Sequence, residues 1–536
     1  MIVMFFSLLT QFLGAAEINR FLKLLNPVSE ADWQEDRGCM EGTRTEILNT
    51  IIAWVNRPLD MDQPRRSHSD SVYWLYGMPA SGKTTVAHSL CHRLYKSEQL
   101  GGSFFCKEDD VVLREPKNVL PTLMSRLALT WPPYGELVAQ VLQGNPYINP
   151  KSTSGKLLSK SLRALERQPS RTFVLVIDAF DECGDDTTRI NILNSLFEAT
   201  FHTDWLKVII TSRFEQGIQS FFETHACTKQ YLAEDEQNYK DIFHFAQKRM
   251  QQLAEKRHFP PEWPGEARLD QITRRSHGIF LYVDTICDIL KPFKNLDQKL
   301  DLLLGEQQQA ANSNLYPLYL RALTSQVGEE TKEFGLVARA IVATSIYRPL
   351  SDEALASMIG KDLSVVQSWV DALNWVFIRD QSLGGGIRIR HTVVLEFLTG
   401  LRDPVELRVD LKLAHEELSL YCLRTMTREL TFNICRLETS YLANREIKNL
   451  DDRVQRNISE TLQYACTHWT NHLCADLDQP SEEVGTLLDR FLTEGWSLYW
   501  LEVSSVMENV PAAITALETI TKSNKVCTSL RWRWVD

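Results

Sequence analysis

The chain has 536 residues and a formal net charge of −11, and hydrophobic residues make up 44% of it. At roughly 100–200 residues per domain, this length predicts about three to four globular domains. The acidic balance argues against nucleic acid held by bulk electrostatics. The 11 cysteines, an odd number without a framework spacing, indicate reduced thiols in a cytoplasmic protein rather than a disulfide scaffold.

The N-terminal 16 residues are apolar, and no Lys or Arg precedes them. A secretory signal peptide begins with a positive segment, which is missing here. The run is also shorter than the ~20 apolar residues of a spanning helix. We expect residues 1–16 to form a helix that packs on the next domain or on a partner, with a signal-peptide core as the alternative. We expect no transmembrane span elsewhere. A helix over 45–55 and a polar linker over 56–70 are predicted to follow.

Short apolar runs alternate with helical segments between residues 71 and 235. Four of these runs are predicted to be strands, at 72–76, 103–106, 173–177 and 207–211. Runs of this kind are typical of strands buried on both faces. Their alternation with helices predicts an α/β domain in which helices cover both faces of a parallel sheet.

Residues 77–84 read Gly-Met-Pro-Ala-Ser-Gly-Lys-Thr, between a predicted strand and a predicted helix. This fits the phosphate-binding loop of P-loop NTPases, in which glycines turn backbone N–H groups towards phosphate oxygens. Lys83 is expected to reach the β- and γ-phosphates, and Thr84 to coordinate Mg²⁺. We therefore predict binding of ATP or GTP with Mg²⁺. The predicted nucleotide-binding residues of this loop and of the following turn are Gly77, Ala80, Ser81, Gly82, Lys83, Thr84 and Thr85.

An apolar run that ends in an acid, Phe173 to Asp178, follows about a hundred residues later. Asp178 is predicted to lie beside the phosphate loop and to hold Mg²⁺, through water. Asp181 and Glu182 come next, and one of them is predicted to orient or deprotonate the attacking water. Alone, the pattern is equally typical of a core strand with a solvated acidic loop. Together with the phosphate loop it predicts a nucleoside triphosphatase.

The next predicted strand ends in Thr211, Ser212 and Arg213. These residues would lie at the carboxyl edge of the sheet, where ligands of open α/β sheets bind. Arg213 is predicted to contact the γ-phosphate and so to report its presence. The alternative is a surface arginine in a loop.

The remaining chain is predicted to be mostly helical. Residues 236–312 have a helical pattern, and residues 313–400 have the layout of a winged helix. That layout consists of helices over 351–359 and 365–373, then strands over 375–378 and 387–390 around a glycine turn. The second of these helices carries no Arg or Lys, which argues against a DNA reader and so against a transcription regulator. Residues 401–536 are predicted to be helical without recognisable repeats.

One cluster of metal-ligand residue types stands near residue 470, namely Cys466, His468, His472 and Cys474. The two histidines are four residues apart and share a helix face. At about 100° per residue, however, both cysteines point away from them. One helix does not bring the four to a tetrahedral ion, so no zinc site is predicted.

These motifs together resemble those of the NACHT-type signal-transduction NTPases, a STAND-class, NLR-like family that is large in filamentous fungi. The stretches that carry the resemblance are 77–84, 176–183 and 211–213, and similar flanking stretches are 39–44, 104–110, 433–435 and 464–466. The resemblance covers about residues 30–510. It implies the following organisation: a leader and linker (1–70), the NTPase domain (71–235), a helical domain (236–312), a winged helix (313–400) and a C-terminal helical region (401–536).

The resemblance also implies a switch. The diphosphate would hold the domains closed, and exchange for the triphosphate would open them for oligomerisation and signalling in innate immunity, non-self recognition or cell death. His391 would latch the closed state through a hydrogen bond to the β-phosphate, with packing at the hairpin base as the alternative. Animal relatives have a glycine–any–proline motif where this chain reads Gly278-Ile279-Phe280. The choice between ATP and GTP therefore stays open.

Two functions are left open. The first is a switch with slow hydrolysis, whose partners are a second copy or related NACHT proteins and an unknown protein trigger, with no nucleic acid. The second is a non-hydrolysing interaction scaffold that regulates full-length NACHT relatives. The intact acidic set Asp178, Asp181 and Glu182 favours the first.

Overall fold

The structure is a computed structural model of the whole chain. The residues that it describes are 20, 22–57, 71–108, 110–143, 150–165, 169–201, 203, 205–232, 236–304, 315–380, 384–439, 441–474 and 481–522. The helix predicted over residues 1–16 and most of the predicted linker lie outside them. The chain divides into two compact units, one of residues 1–287 with 297–308 and one of residues 288–296 with 309–536. Among the described helices, none is both long and apolar enough to cross a membrane.

A five-stranded parallel sheet forms the centre of the first unit, in the order β2-β3-β4-β1-β5. Its strands are β1 (Val72–Tyr76), β2 (Leu100–Phe105), β3 (Phe173–Asp178), β4 (Leu206–Ser212) and β5 (Thr228–Tyr231). Four of them were predicted, and the largest error is three residues, at the start of β2. β5 was not predicted, because this edge strand is short and polar and its residues are half-buried or exposed.

Helices cover both faces of this sheet, as predicted. Side chains alternate along β1, so that Val72 and Trp74 join one buried apolar cluster while Tyr73 and Leu75 join the other. The helices of the first unit are α1 (Thr45–Val55), α2 (Lys83–Lys96), α3 (Val119–Thr130), α4 (Pro132–Gln143), α5 (Pro150–Arg163), α6 (Asp186–Phe201), α7 (Gln216–Thr224), α8 (Glu236–Arg257), α9 (Glu266–Ser276), α10 (Phe280–Leu290) and α11 (Leu296–Leu303). Of the last two helices, the first unit includes α10 as far as residue 287 and α11 from residue 297.

A buried lysine fastens α1 to the sheet. The ammonium group of Lys207, on β4, donates to the backbone carbonyls of Trp54 at 2.9 Å and Val55 at 3.0 Å. It also lies 4.8 Å from the centroid of the Trp54 ring. A cation at this position complements the carbonyl groups that a helix leaves unpaired at its C-terminus. The charge of Lys207 therefore has a structural role.

The described residues of the second unit are largely helical and include an antiparallel hairpin. In the hairpin, β6 (Phe377–Asp380) pairs with β7 (Gly386–Ile389). Its helices are α12 (Leu315–Val327), α13 (Thr331–Ser345), α14 (Asp352–Ile359), α15 (Leu363–Ala372), α16 (Thr392–Gly400), α17 (Leu411–Glu429), α18 (Leu450–Asn457), α19 (Glu460–Cys474), α20 (Glu482–Thr493), α21 (Trp496–Val506) and α22 (Val510–Lys522).

The hairpin is tied to the two short helices before it. Arg379 of β6 donates to both carboxylate oxygens of Asp352 on α14, each at 2.7 Å, and to Asp371 on α15 at 2.6 Å. Asp371 is the single charged residue of α15, so its charge is engaged within the domain. Two short helices followed by a hairpin is the element order that the sequence predicts for residues 313–400.

The histidines near residue 470 lie in a buried hydrogen-bonded group. His472 Nδ1 is 2.8 Å from His415 Nδ1, and His472 Nε2 is 2.7 Å from the Tyr464 hydroxyl. Burial lowers the pKa of His472 well below its usual value. His468 shares the helix face of His472, as predicted, and both rings contact Tyr347. These contacts account for the histidines as part of the core of the second unit.

Candidate nucleotide-binding site

The predicted phosphate loop connects β1 to α2, since β1 ends at Tyr76 and α2 begins at Lys83. Two residues of the loop have left-handed backbone conformations, Ala80 with φ of 60° and Gly82 with φ of 91°. Glycine suits position 82 because residues with a side chain rarely adopt this conformation. The loop thus has the strand–turn–helix context that its sequence predicts, and the free N–H groups of the first turn of α2 lie at its end.

Lys83 lies inside this loop and is only 8% exposed. Its ammonium group donates to the backbone carbonyls of Gly77 at 2.9 Å and Met78 at 2.8 Å. Burial lowers the pKa of Lys83 to about 8, although the carboxylates of Asp181 and Asp178 act in the opposite direction. The cation is therefore positioned at the loop and is poorly hydrated, which suits it to bind an anion.

The hydroxyl of Ser81 is the clearest sign that the loop fits a phosphate group. It is buried and has no hydrogen-bond partner among the described residues. An unsatisfied buried polar group costs about 1–3 kcal/mol. A phosphate oxygen in the loop would accept the missing hydrogen bond, so the loop residues fit the group that the motif implies.

Asp178 and Thr84, the two predicted metal ligands, lie together beside the loop. Asp178 ends β3, is 1% exposed, and accepts a hydrogen bond from the Thr211 hydroxyl, while the nearby Thr84 hydroxyl lowers its pKa. Burial raises the pKa of Asp178 to about 6, against the effect of these two hydroxyls and of Lys83. Oxygen ligands of this kind suit Mg²⁺, which keeps most of its waters and is held by few protein groups.

Asp181, Glu182 and Arg213 form a second group at the same sheet edge. The Asp181 carboxylate contacts Arg213 twice, as it accepts from the backbone N–H at 2.9 Å and lies 3.3 Å from Nε. Glu182 accepts from the backbone N–H of Glu108 at 3.1 Å and lies 3.7 Å from Arg213 Nη2. Burial raises the pKa of Glu182 to about 7, although the hydrogen bond from Glu108 lowers it.

These three residues open onto a cavity of about 500 Å³. The other residues that line it are Glu108, Arg114, Glu115, Pro116, Gly184, Arg189 and Glu215. The acidic loop therefore borders a space that can hold water, rather than the apolar core of the sheet.

Arg44 is a site residue that no sequence motif predicts. Its buried guanidinium donates to the Ser81 carbonyl at 2.7 Å and lies 4.7 Å from the centroid of the Phe280 ring. Its backbone N–H donates to Asp241 Oδ2 at 3.0 Å. Arg44 thus joins the phosphate loop to α8 and α10. The only signal in the sequence is that Arg44 belongs to the flanking stretch 39–44.

A second unpredicted residue, Arg189 on α6, supports the acidic loop. Its guanidinium donates to the backbone carbonyl of Asp181 and, at 2.7 Å, to Asp186. It also lies 3.2 Å from Glu215. Arg189 therefore fixes the main chain at Asp181 while Arg213 engages the side chain.

Two predicted site residues remain, Thr85 and His391. Thr85 is exposed in the first turn of α2, and its hydroxyl donates to the Gly82 carbonyl at 2.7 Å. His391 lies in the second unit, at the N-terminus of α16, where its Nδ1 accepts from the Val393 N–H at 3.2 Å. This contact is of the kind expected if His391 packs at the base of the hairpin. A hydrogen bond from His391 to a phosphate stays a prediction.

A family model described as the N-terminal part of nephrocystin 3 matches residues 52–213, less than half of the chain. The matched segment contains the phosphate loop, Asp178 and Arg213. No curated protein matches the chain significantly. Together with the geometry of the loop and sheet, these residues make the chain an α/β P-loop NTPase in fold, with the phosphate-loop motif at 77–84.

Several solved structures have weak similarity to the chain. AMPPCP-bound DnaA from Aquifex aeolicus is 12% identical, with 64% of this chain and 91% of that chain covered and a TM-score of 0.29. DNA-bound ORC from Drosophila is 13% identical, with 71% and 90% covered and a TM-score of 0.27. A variant of Thermotoga maritima RuvB is 14% identical, with 61% and 86% covered and a TM-score of 0.22. Similarity at this level says nothing about the function of this chain.

Proposed function

We propose that the chain is a nucleotide-operated signalling switch of the fungal NACHT (STAND) type, which binds ATP or GTP with Mg²⁺ and hydrolyses it slowly. Its responses would be a change of conformation or self-assembly, in innate immunity, non-self recognition or cell death. One observation carries this proposal. Lys83, Asp178, Glu182 and Arg213 lie around the carboxyl edge of a single parallel sheet, next to a phosphate-binding loop.

Binding depends on the loop. Backbone N–H groups of residues 77–84 and the start of α2 would face the phosphates. Lys83 would exchange its two carbonyl partners for phosphate oxygens, and Ser81 would gain the partner that its buried hydroxyl lacks among the described residues. Thr84 and Asp178 would hold Mg²⁺, which when bound supplies positive charge that offsets the charge of the phosphates.

Glu182 is the better base for the attacking water. Both residues line the cavity. The Asp181 carboxylate accepts from the Arg213 backbone N–H at 2.9 Å and lies 3.3 Å from its Nε, whereas Glu182 has one backbone donor and lies 3.7 Å from the Arg213 guanidinium. A general base works best when its pKa is near the working pH, and burial raises that of Glu182 to about 7. Glu182 would accept the proton of the water, and Asp181 would orient Arg213.

Arg213 would act as the sensor of the γ-phosphate. Its guanidinium lies between Asp181 and Glu182. A γ-phosphate would compete for this guanidinium, because charge-assisted bonds to phosphate are strong and bidentate. Arg213 would leave the acids when the triphosphate binds and return when the phosphate leaves, and this competition favours slow turnover.

Arg44 connects the phosphate loop to the helices that follow the predicted NTPase domain. It contacts Ser81, Asp241 on α8 and Phe280 on α10. A change at the Ser81 carbonyl would therefore alter the contact between the loop and the segment predicted as the helical domain, 236–312. The five-domain organisation and the latch by His391 remain part of the proposal.

The proposal is tested by measuring nucleotide binding and hydrolysis separately. ATP and GTP hydrolysis would be followed in Mg²⁺ for the wild type, Glu182→Gln and Asp181→Asn, and binding measured with a fluorescent nucleotide. We expect Glu182→Gln to bind normally and lose most of its turnover, with a smaller loss for Asp181→Asn. Binding without turnover in the wild type would contradict slow hydrolysis and favour the interaction scaffold.

A further inference from the structure

A cavity of about 780 Å³ lies in the second unit. One wall is the segment that connects α17 to α18, of which residues 430–439 and 441–449 are described, and the other is the end of α18 with the start of α19. Ligand cavities in proteins have volumes of about 300–1,000 Å³ and combine apolar walls with a few polar groups. This cavity has both. Two arginines line it, and its apolar lining residues are Phe432, Ile434, Leu437 and Leu462.

The two arginines, Arg436 and Arg456, bring positive charge to the cavity. Arg436 is exposed, and no carboxylate of the described residues forms an ion pair with its guanidinium. The nearby Arg453, by contrast, pairs with Glu438 at 2.7 Å. Arg456 lies 4.0 Å from Asp452, and both of these side chains are exposed to solvent. Neither guanidinium of the cavity is therefore held closely by an acid of the described chain.

Glu429 is the single acid among the described lining residues, and its charge is already engaged. Its two carboxylate oxygens accept from the Ser459 hydroxyl at 2.8 Å and from Arg428 Nη2 at 2.6 Å. The chain as a whole has a formal charge of −11, so a cavity with two arginines and one neutralised acid departs from the overall balance. Such a cavity attracts anionic groups.

The connecting segment holds Arg436 in a fixed place. The side chain of Asn433 accepts from the Leu437 N–H at 2.6 Å and donates to the Leu437 carbonyl at 2.9 Å. The Arg436 carbonyl accepts from Arg453 Nη1 at 2.7 Å, and Glu502 on α21 accepts from the Asn433 N–H at 3.1 Å. A segment that is ordered before binding loses less conformational entropy when a ligand arrives.

The same segment exposes large apolar side chains. Phe432 lines the cavity and is 77% exposed, and Tyr441 is 95% exposed. Leu442 is exposed as well. A small anion in the cavity would leave most of this apolar surface in water, whereas a protein partner would cover it. Aromatic residues and arginine also contribute most to binding at protein interfaces. Together, the arginines and the exposed rings favour a protein partner.

We propose that this cavity binds an acidic peptide segment of a partner protein. Two carboxylates of the peptide would pair with Arg436 and Arg456, and an apolar side chain of the peptide would pack on Phe432. A guanidinium binds a carboxylate through two parallel hydrogen bonds, so these pairs would also set the direction of the peptide. The site lies in the second unit and goes beyond the proposed function, since it does not depend on nucleotide hydrolysis.

The test uses the immobilised full-length protein and random peptides displayed on phage. Peptides are first depleted on the double variant Arg436→Ala/Arg456→Ala and then selected on the wild type. The enriched sequences are synthesised for calorimetric titration. We expect them to share at least two acidic residues with an apolar residue nearby. Arg436→Ala and Arg456→Ala should each weaken their binding on the order of 10-fold, as loss of a hydrogen bond to a charged group does. Phe432→Ala should also weaken it.

Matched controls make the result specific. Arg445→Ala removes an exposed arginine of the same segment that does not line the cavity, and it should bind the peptides as the wild type does. Phe201→Ala removes an exposed phenylalanine of the first unit and should also have no effect. All of these side chains are exposed, so the variants should stay folded.

Three results would overturn the proposal. The first is that no peptide is enriched, and the second is that the enriched peptides lack acidic residues or bind the double variant as well as the wild type. The third is that inorganic phosphate binds at the same arginines as tightly as the peptides do, because the cavity would then be a site for simple anions.

Discussion

Arg213 and Asp181 are joined twice, because both the backbone N–H and the guanidinium Nε of Arg213 contact the same carboxylate, at 2.9 and 3.3 Å. The arginine that follows β4 is therefore held by the loop that follows β3. In this position Arg213 contacts two acids, and a competing anion would draw it away. The first prediction follows from this competition.

Arg213→Ala should weaken the binding of the triphosphate and leave the binding of the diphosphate unchanged. A hydrogen bond to a charged group contributes about 1.5–3 kcal/mol, so the triphosphate affinity should fall roughly 10- to 150-fold. Calorimetric titration with a non-hydrolysable triphosphate and with the diphosphate measures both values. Arg171→Ala, which removes an exposed ion pair with Glu98, is the control. An equal loss for both nucleotides would contradict a γ-phosphate sensor.

The pH dependence of kcat/KM should be bell-shaped, because it reports the ionisation of the free protein. Activity should rise as pH passes about 7, where Glu182 becomes the carboxylate that accepts a proton. It should fall as pH passes about 8, where Lys83 loses the charge that binds phosphate. Glu182→Gln should lose the rising limb near pH 7 and keep the falling one. A profile that is flat between pH 6 and 8 would argue against both assignments.

Arg44→Ala should reduce nucleotide affinity although Arg44 is not part of the loop. The variant removes the donor to the Ser81 carbonyl and the contact with Phe280, so the loop would lose a support worth about 1.5–3 kcal/mol. Because only part of this free energy contributes to nucleotide binding, the affinity for the diphosphate should become several-fold weaker. Arg44→Lys should not rescue it, since an ammonium lacks the planar fork. Unchanged affinity in a folded Arg44→Ala protein would show that Arg44 does not support the phosphate loop.

Lys207→Met should destabilise the first unit without altering nucleotide chemistry. It keeps most of the side-chain volume but removes the donor to the Trp54 and Val55 carbonyls. We expect a loss of about 1.5–3 kcal/mol in the free energy of unfolding, measured by urea denaturation. The control is Lys229→Met, which removes an exposed lysine on β5. A loss no larger than that of the control would show that the buried charge contributes little.

The sequence was most informative where a pattern is local. The phosphate loop and the acid at the end of β3 are short motifs with fixed spacing, and the structure brings Lys83, Thr84 and Asp178 together as their positions in these motifs imply. Apolar runs likewise located four strands. The polar strand β5 has no such signal, because its residues are recognised as a strand only by their pairing with β1.

Long-range packing decided the rest of the site. Arg44 lies 37 residues before Ser81 in the chain, and no spacing rule links the two. The choice between Asp181 and Glu182 also stayed open in the sequence, because it depends on which carboxylate Arg213 engages and on the donor from Glu108. Such contacts form only when the sheet edge is folded, and no single sequence motif predicts them.

The central claim is that residues 77–84 hold a nucleotide that the protein turns over slowly. The most direct test is to purify wild type, Lys83→Ala and the control Lys96→Ala, identify the nucleotide released on denaturation, and follow triphosphate hydrolysis in Mg²⁺. We predict bound diphosphate and slow turnover in the wild type and in Lys96→Ala, which changes the far end of the same helix. Both should be lost in Lys83→Ala. Wild-type protein that carries no nucleotide, and takes up neither ATP nor GTP when offered, would contradict the claim.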